Sequence, residues 1–302
     1  MFQKEGHMRK EVRWERMFPD ELEAAFDECP TVYFTYGLCE PHGPQNTVGL
    51  DALKAHAIAC RAAQTHGGIV APPDYWHIHE HGMYANWAYR SVGEVRSWLT
   101  AMPAWQHFKN VCYHVRAADA LGFHAAIFLT GHYGPNWQDL KTLLSLIQPH
   151  FAMRLYGLPD FEANTPGFDQ QGNGGDHAGR VETSLLWALE PDCVDMSRMP
   201  ETDAGSPHFA MGANAFESDR RIGERMVNDE VAWLGQKMQE LLEAYAAADI
   251  SDRQQVTFEE VERIWAEAVS PALKTFETMK DPDESPPEDS QWFRQCKIPE
   301  LL

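Results

Sequence analysis

Directly after the strand-like run TVYFTY, the chain carries Glu40, His42 and Asp51 within one Pro/Gly-rich connection, LCEPHGPQNTVGLD. Carboxylates crowded into a short turn are costly unless a cation neutralises them, and a mixed Glu/Asp/His set suits Zn, Mn or Fe(II). Two further polar loops offer the same residue types. His132 lies in TGHYGPN, which follows the apolar run FHAAIFL, and Asp176, His177 and Glu182 lie in DHAGRVETS, where a helix pattern begins. Collected together, Glu40, His42, Asp51, His132 and Glu182 are three carboxylates and two imidazoles able to converge at one edge of a sheet. Catalytic sites of this kind keep coordination positions open for water, and a bridging carboxylate such as Asp51 can hold two ions about 3.5–4 Å apart. Taken singly, a loop glutamate is usually solvated and a histidine beside Pro and Gly caps a turn. The joint placement is what favours chemistry.

The elements that must position these residues follow from the hydrophobic pattern. TVYFTY (31–36), GGIVAP (67–72) and FHAAIFL (123–129) are short β-rich apolar runs that read as buried strands. Between and after them, Leu53, Ala57 and Cys60, then Phe108, Val111, Cys112 and Val115, then Leu140, Leu143, Leu144 and Ile147 recur with helical spacing. Strands alternating with helices predict an α/β fold with a mostly parallel sheet covered on both faces. In such sheets ligands bind beyond the carboxyl ends of the strands, where the polar loops fall. The Gly/Asn/Asp/Gln-rich stretch 161–180 reads as an active-site loop opening onto the helix VETSLLWALEP, and a longer helix is expected through 219–248, with Ile222, Met226, Trp233, Leu234, Leu241 and Leu242 as buried candidates. DPDESPPEDS (281–290) reads as an exposed, mobile tail, so residues 1–280 are expected to form one catalytic domain and 281–302 an acidic, Pro-rich extension.

Composition narrows the partners. With 45 acidic against 25 basic side chains the formal charge is −20, a field that repels nucleic acid and anionic membranes. No apolar run approaches the roughly 18 residues a membrane span needs, and the charged N-terminus has no signal-like core, so a cytoplasmic protein is expected. Six scattered cysteines without CxxC spacing point to reduced thiols, and Cys39 beside Glu40 reads as a packing residue.

These motifs resemble the creatininase (creatinine amidohydrolase) family of metal-dependent amidohydrolases. Its Glu-x-His-Gly-Pro turn, with an Asp nine residues after the histidine, is matched by Glu40-Pro41-His42-Gly43-Pro44 and Asp51. Its Asn-Gly-His-Gly-Gly-Asn-like loop is matched by Thr130 to Asn136, and its His-Ala-Gly-x-x-Glu-Thr-Ser segment by His177 to Ser184. The resemblance runs in order over roughly residues 30 to 245. It implies a three-layer αβα sandwich, commonly a hexamer, with a one- or two-ion centre that cleaves non-peptide C–N bonds. Carried over residue by residue, it makes Glu40, His42, Asp51 and His132 metal ligands with Asp51 the bridge, Glu182 a further ligand close to the chemistry, and His177 the residue that handles protons. Two departures stand out. Creatininase has a ligand glutamate two residues after the second-loop histidine where this chain has Gly134, and an aromatic position of its substrate wall corresponds to Asn173.

Another departure is DYWHIHEHG (74–82), in which His77, His79 and His81 would share one face of an extended chain and His81 falls at a family histidine position. His81, Tyr133, Asn173, Asp176 and Arg180 are the expected pocket residues. Arg180 is placed either to meet a substrate carboxylate or to pair with a nearby acid. Trp76, Trp87, Trp105 and Trp137 fall near the loops, and one or two could wall a small-molecule pocket.

The resulting expectation is a hydrolase using one or two divalent ions (Zn, Mn or Fe) to cleave a cyclic amide, amidine or formamide. An alternative keeps the metal and acts on a cyclic polyol or keto-sugar, as hydrolase or isomerase. A third reading, of a different class, is an inactive metal-binding scaffold.

Overall fold

In the computed structural model, the described residues are 11–79, 83–94, 96–164, 177–201, 209–251, 255–280 and 284–293. After α1 (Pro19–Glu28), strand β1 (Thr31–Tyr36) leads through the Glu40/His42 connection into α2 (Leu50–His66) and β2 (Ile69–Val70). Then come β3 (His77–Ile78), α3 (Met83–Val92), β4 (Ala101–Met102), α4 (Ala104–Leu121), β5 (Ala125–Thr130), α5 (Asn136–Ile147) and β6 (Arg154–Pro159). Among the described residues, three more α-helices follow: α6 (Arg180–Leu189), α7 (Arg220–Ala246) and α8 (Phe258–Ile264).

The main sheet has the order β2-β1-β5-β6 with every pairing parallel, and β3 and β4 form a separate parallel pair. Because successive strand residues point to opposite faces, each long strand feeds two cores. Val32 and Tyr36 of β1, with Ala126 and Phe128 of β5, pack against Phe108, Val111, Leu140 and Leu143 of α4 and α5. Tyr33, Ile127, Leu129 and Leu158 pack instead against Ala55, Ile58, Leu185 and Val227 of α2, α6 and α7. Helices on both faces of a parallel sheet make the expected three-layer αβα sandwich.

Several sequence expectations shift. On α2 the buried face is Leu50, Asp51, Lys54, Ala55, Ile58, Ala59, Ala62 and Ala63, while Leu53, Ala57 and Cys60 are only half-buried. The apolar periodicity mistook the phase because the inner face starts with two charged residues and continues in alanine. Phe108, Val111, Cys112 and Val115, and the four apolar residues of α5, are buried as expected. β6 (RLYGLP) carried too weak an apolar signal to be read from sequence. The acidic extension is exposed at Glu284, Ser285, Glu288 and Asp289, but Trp292 just beyond is only 2% exposed. Its composition suggested an exposed, mobile tail, but Pro286 and Ser290 within it are buried and the Trp292 indole docks it. Cys29, Cys39, Cys60, Cys112 and Cys193 are free thiols, and among the described residues no helix is long and apolar enough to cross a membrane.

Candidate metal centre

The carboxyl ends of β1, β5 and β6 open on the same side, because the three strands are parallel neighbours. The loop after β1 brings Glu40 and His42 there, and the first turn of α2 brings Asp51. The loop after β5 brings His132, and α6 brings Glu182 in its first turn. Gly131 allows the closest approach. A Cβ at that position would lie 2.1 Å from the Asp51 carbonyl oxygen, so only glycine lets the β5 loop rest on the start of α2.

All five side chains are buried: Glu40, His42, Asp51, His132 and Glu182 are each at most 6% exposed. His42 Nδ1 donates to the Glu40 carbonyl (3.0 Å), which turns Nε2 inward, 3.0 Å from Asp51 Oδ1 and 3.7 Å from both Glu40 Oε1 and Glu182 Oε2. His132 Nδ1 lies 2.9 Å from Glu40 Oε1 and 3.1 Å from Asp51 Oδ2. Donor atoms thus gather into the groups Glu40/Asp51/His132 and His42/Asp51/Glu182, each within 4.8 Å, and Asp51 belongs to both through its two oxygens. A third group within the same reach joins Glu40, His42 and His177.

The electrostatics of this cluster are those of a cation site. Burial alone would raise the Glu40 pKa, but His132 and His177 bring it down to about 2. Burial would likewise lower His42, but Asp51, then Glu182 and Glu40, lift it to about 9; His132 rises well above its usual range against Glu40 and Asp51. Asp51 is held well below the carboxylate range by His42 and His132 in spite of its burial. Glu40 Oε1, His42 Nε2 and Asp51 Oδ1 are buried without a hydrogen bond of good geometry, although they approach one another closely. Such atoms converge on a common point more than they pair, which fits a metal ion.

Two charged residues escaped the sequence reading. Lys54 is fully buried, donates to the Gly131 carbonyl, and lies 3.0 Å from Asp160 Oδ2 and 3.3 Å from Glu182 Oε1. The Tyr133 ring covers its ammonium at 3.8 Å. Burial raises Asp160 to about 6, with Lys54 offsetting only part of the cost. The signal for Lys54 was its place three residues after Asp51, one helical turn along the same face. Asp160 follows β6 at the strand's carboxyl end, and it was missed because the strand was. Among the described residues, the four carboxylates Glu40, Asp51, Asp160 and Glu182 are met in the metal-free cluster by the Lys54 ammonium and by the protons on His42 and His132. Displacing those imidazole protons leaves a negative charge that cations would neutralise.

His177 stacks on His42 (centroids 4.5 Å apart) and meets Trp87 edge-on at 5.2 Å. Its Nε2 lies 2.8 Å from the Pro41 carbonyl, which can only accept, so Nε2 carries the hydrogen and the Nδ1 lone pair faces Glu40 Oε1 at 3.9 Å. Burial lowers its pKa to about 4. Trp87, 40% exposed, borders the cleft, whereas Trp105 packs on the core and Trp76 points to solvent.

The remaining expected residues divide. Tyr133 braces Lys54. Arg180 is exposed and takes the second course open to it, pairing with Glu217 at 3.9 Å. His81, Asn173 and Asp176 lie outside the described residues. Of the histidine run, His77 packs on His107 (4.2 Å) with its pKa pushed to about 3 by burial and then by His132, and joins none of the donor groups. His79 faces Glu40, Nε2 to Oε2 at 3.5 Å. Both are buried.

Comparison with known proteins agrees with the fold. The chain is similar to a crystal structure of creatinine amidohydrolase (creatininase), with 20% identity and TM-score 0.60 over 77% of this chain and 98% of that one. It is also similar to a structure described as creatininase Mn (20%, TM-score 0.59, 76% and 98%) and to a creatininase variant of Zn-Zn type (21%, TM-score 0.57, 76% and 98%). No curated protein matches it. The family model described as Creatininase: Creatinine amidohydrolase matches residues 15–275, and the chain belongs to the creatininase family of metal-dependent amidohydrolases.

Proposed function

We propose that the chain hydrolyses a non-peptide C–N bond of a small molecule, of the cyclic amide, amidine or formamide type. The observation that carries this reading is Asp51, whose two oxygens face different imidazoles and so join two donor groups into one centre. Glu40, Asp51 and His132 would hold one divalent transition ion (Zn, Mn or Fe), and His42, Asp51 and Glu182 a second. When bound, such ions polarise the scissile carbon's substituent and lower the pKa of water toward neutrality.

The chain's own residues do the rest. Glu182 and Asp160 share Lys54, which keeps the Glu182 carboxylate oriented toward His42. His177, fixed by its hydrogen bond to Pro41, presents an unprotonated Nδ1 at neutral pH; it takes a proton from the attacking water there and passes it to the leaving nitrogen. Trp87 and Tyr133 supply aromatic surface beside the site. A homo-oligomer, hexameric as the family resemblance implies, and a cytoplasmic setting complete the proposal.

The test is elemental analysis of the wild type beside Asp51→Ala and His132→Ala, with turnover of simple cyclic amides followed by amine or ammonia release. Bound ions in the wild type, abolished in Asp51→Ala and reduced in His132→Ala by the ion of the Glu40 group, with amine release, support the reading. Absence of ions after reconstitution with Zn, Mn and Fe(II) overturns it. His177→Ala is expected to keep its ions and lose turnover, and full activity in that variant would remove His177 from the mechanism.

A further inference from the structure

The family match ends at residue 275, yet the chain continues and returns to the site. The segment Glu284 to Phe293 is tied to the end of α3 and the turn that follows. Glu284 pairs with Arg90 at 3.3 Å, the Gly93 carbonyl accepts from Trp292 Nε1 (3.0 Å) and Gln291 Nε2 (3.3 Å), and Ser97 Oγ donates to Gln291 Oε1 (2.9 Å). These contacts seat the Trp292 ring against His79, centroids 5.3 Å apart and planes inclined at 50°. His79 is itself 6% exposed, and its Nε2 faces Glu40 Oε2 at 3.5 Å.

The two oxygens of Glu40 are therefore divided. Oε1 faces His132 (2.9 Å), His42 (3.7 Å) and His177 (3.9 Å), whereas Oε2 is turned to His79. A terminal carboxylate torsion is broad, and a ring hydrogen directed at one oxygen selects the rotation that presents the other to the donor group. That selection works only while the imidazole is held in place, and the indole packed against it at a tilt holds it.

We infer that Trp292 is a positioning residue: through His79 it fixes the Glu40 carboxylate for the ion shared with Asp51 and His132, so the segment beyond the family-matched region is a working part of the centre. This rests on the metal reading proposed above.

The full chain, His79→Ala, Trp292→Ala, Trp292→Phe and the double alanine variant are titrated with Mn(II) alone and Zn(II) alone against a chromophoric chelator. His132→Ala identifies the uptake step that belongs to the Glu40 group. Trp292→Ala is expected to weaken that step by about 10–100-fold, the usual effect of losing a residue that orients a ligand. The step belonging to His42 and Glu182 should stay unchanged. Trp292→Phe should retain most of the affinity, His79→Ala should reproduce the loss, and the double variant should lose no more than His79→Ala. Unchanged affinity in Trp292→Ala, or additive losses in the double variant, overturns the inference. Equal weakening of both steps with a lowered metal-free melting temperature also overturns it, since that pattern marks general loosening. A wild type that takes up no ion removes the metal reading itself, a failure visible before any variant is compared.

Discussion

At the scale of single residues, His42 and His132 are imidazoles whose protons stand where ions would bind. Asp51 and its neighbours outweigh burial and raise His42 to about 9, and His132 rises well above its usual range. In the metal-free chain at neutral pH both are therefore protonated, and ion uptake must displace those protons. Calorimetric titration in buffers of different ionisation enthalpy should show proton release at pH 7, diminished in His42→Ala. Ion affinity should rise as pH passes through about 9, the midpoint at which His42 loses its proton. The stability consequence has the same root. A folded pKa raised above the unfolded value of about 6.5 gives the metal-free chain stability that is complete below that value and is lost as pH rises. With His42 this loss runs up to about 9. His77 acts in the opposite sense: lowered to about 3, it contributes stability above its unfolded pKa that is lost as pH falls toward 3. Chemical denaturation of the metal-free protein across pH checks both windows. Lys54 is the other residue with a large expected effect. Lys54→Met leaves Asp160 buried with no cation beside it and Glu182 with only the His42 imidazolium, and about 3–5 kcal/mol of stability should be lost at neutral pH. Because Lys54 lowers the Asp160 pKa, Asp160 takes a proton at higher pH in the variant than in the wild type, and the loss should shrink as pH falls toward about 6 and level off below it.

At the scale of elements, the centre depends on how closely α2, α6 and α7 pack. Gly223 of α7 lies so near α6 that a Cβ there would fall 1.8 Å from the Ser184 carbonyl oxygen. Backbone cannot yield as a flexible side chain does, so Gly223→Ala must push the helices apart, at a cost of about 1–3 kcal/mol. Glu182 sits two residues before Ser184 on α6, so the same substitution should weaken ion binding at the His42/Asp51/Glu182 group more than at the Glu40 group. Chelator titration and chemical denaturation together measure the two effects. The sequence reading found β1, β5, α4 and α5 because their apolar residues keep the period of the element. It missed the phase of α2 and the existence of β6 for one reason: both present charged or weakly apolar residues to the interior, where Asp51, Lys54 and Asp160 meet.

At the scale of the whole molecule, a centre made of the loops after β1 and β5 and the first turns of α2 and α6 exists only when the sheet is complete, so ion binding and folding are coupled. Free ion at a hundred times its Kd should stabilise the fold by about 2.7 kcal/mol per site. Differential scanning of the metal-free and reconstituted protein should show the melting temperature rise, and Asp51→Ala, which removes the shared ligand, should abolish it. The αβα fold and the convergence of Glu40, His42, Asp51, His132 and Glu182 on one edge of the sheet were legible in the sequence alone. Hydrophobic period fixes which segments are strands and helices, and parallel strands must deliver the loops at their carboxyl ends to one edge. Only the tertiary structure decided that Asp51 divides its oxygens between two groups, that Lys54 and Asp160 lie beneath them, and that Trp292 comes back to His79. Those are contacts between residues far apart in the chain, and local pattern carries no information on which distant side chains burial will bring together.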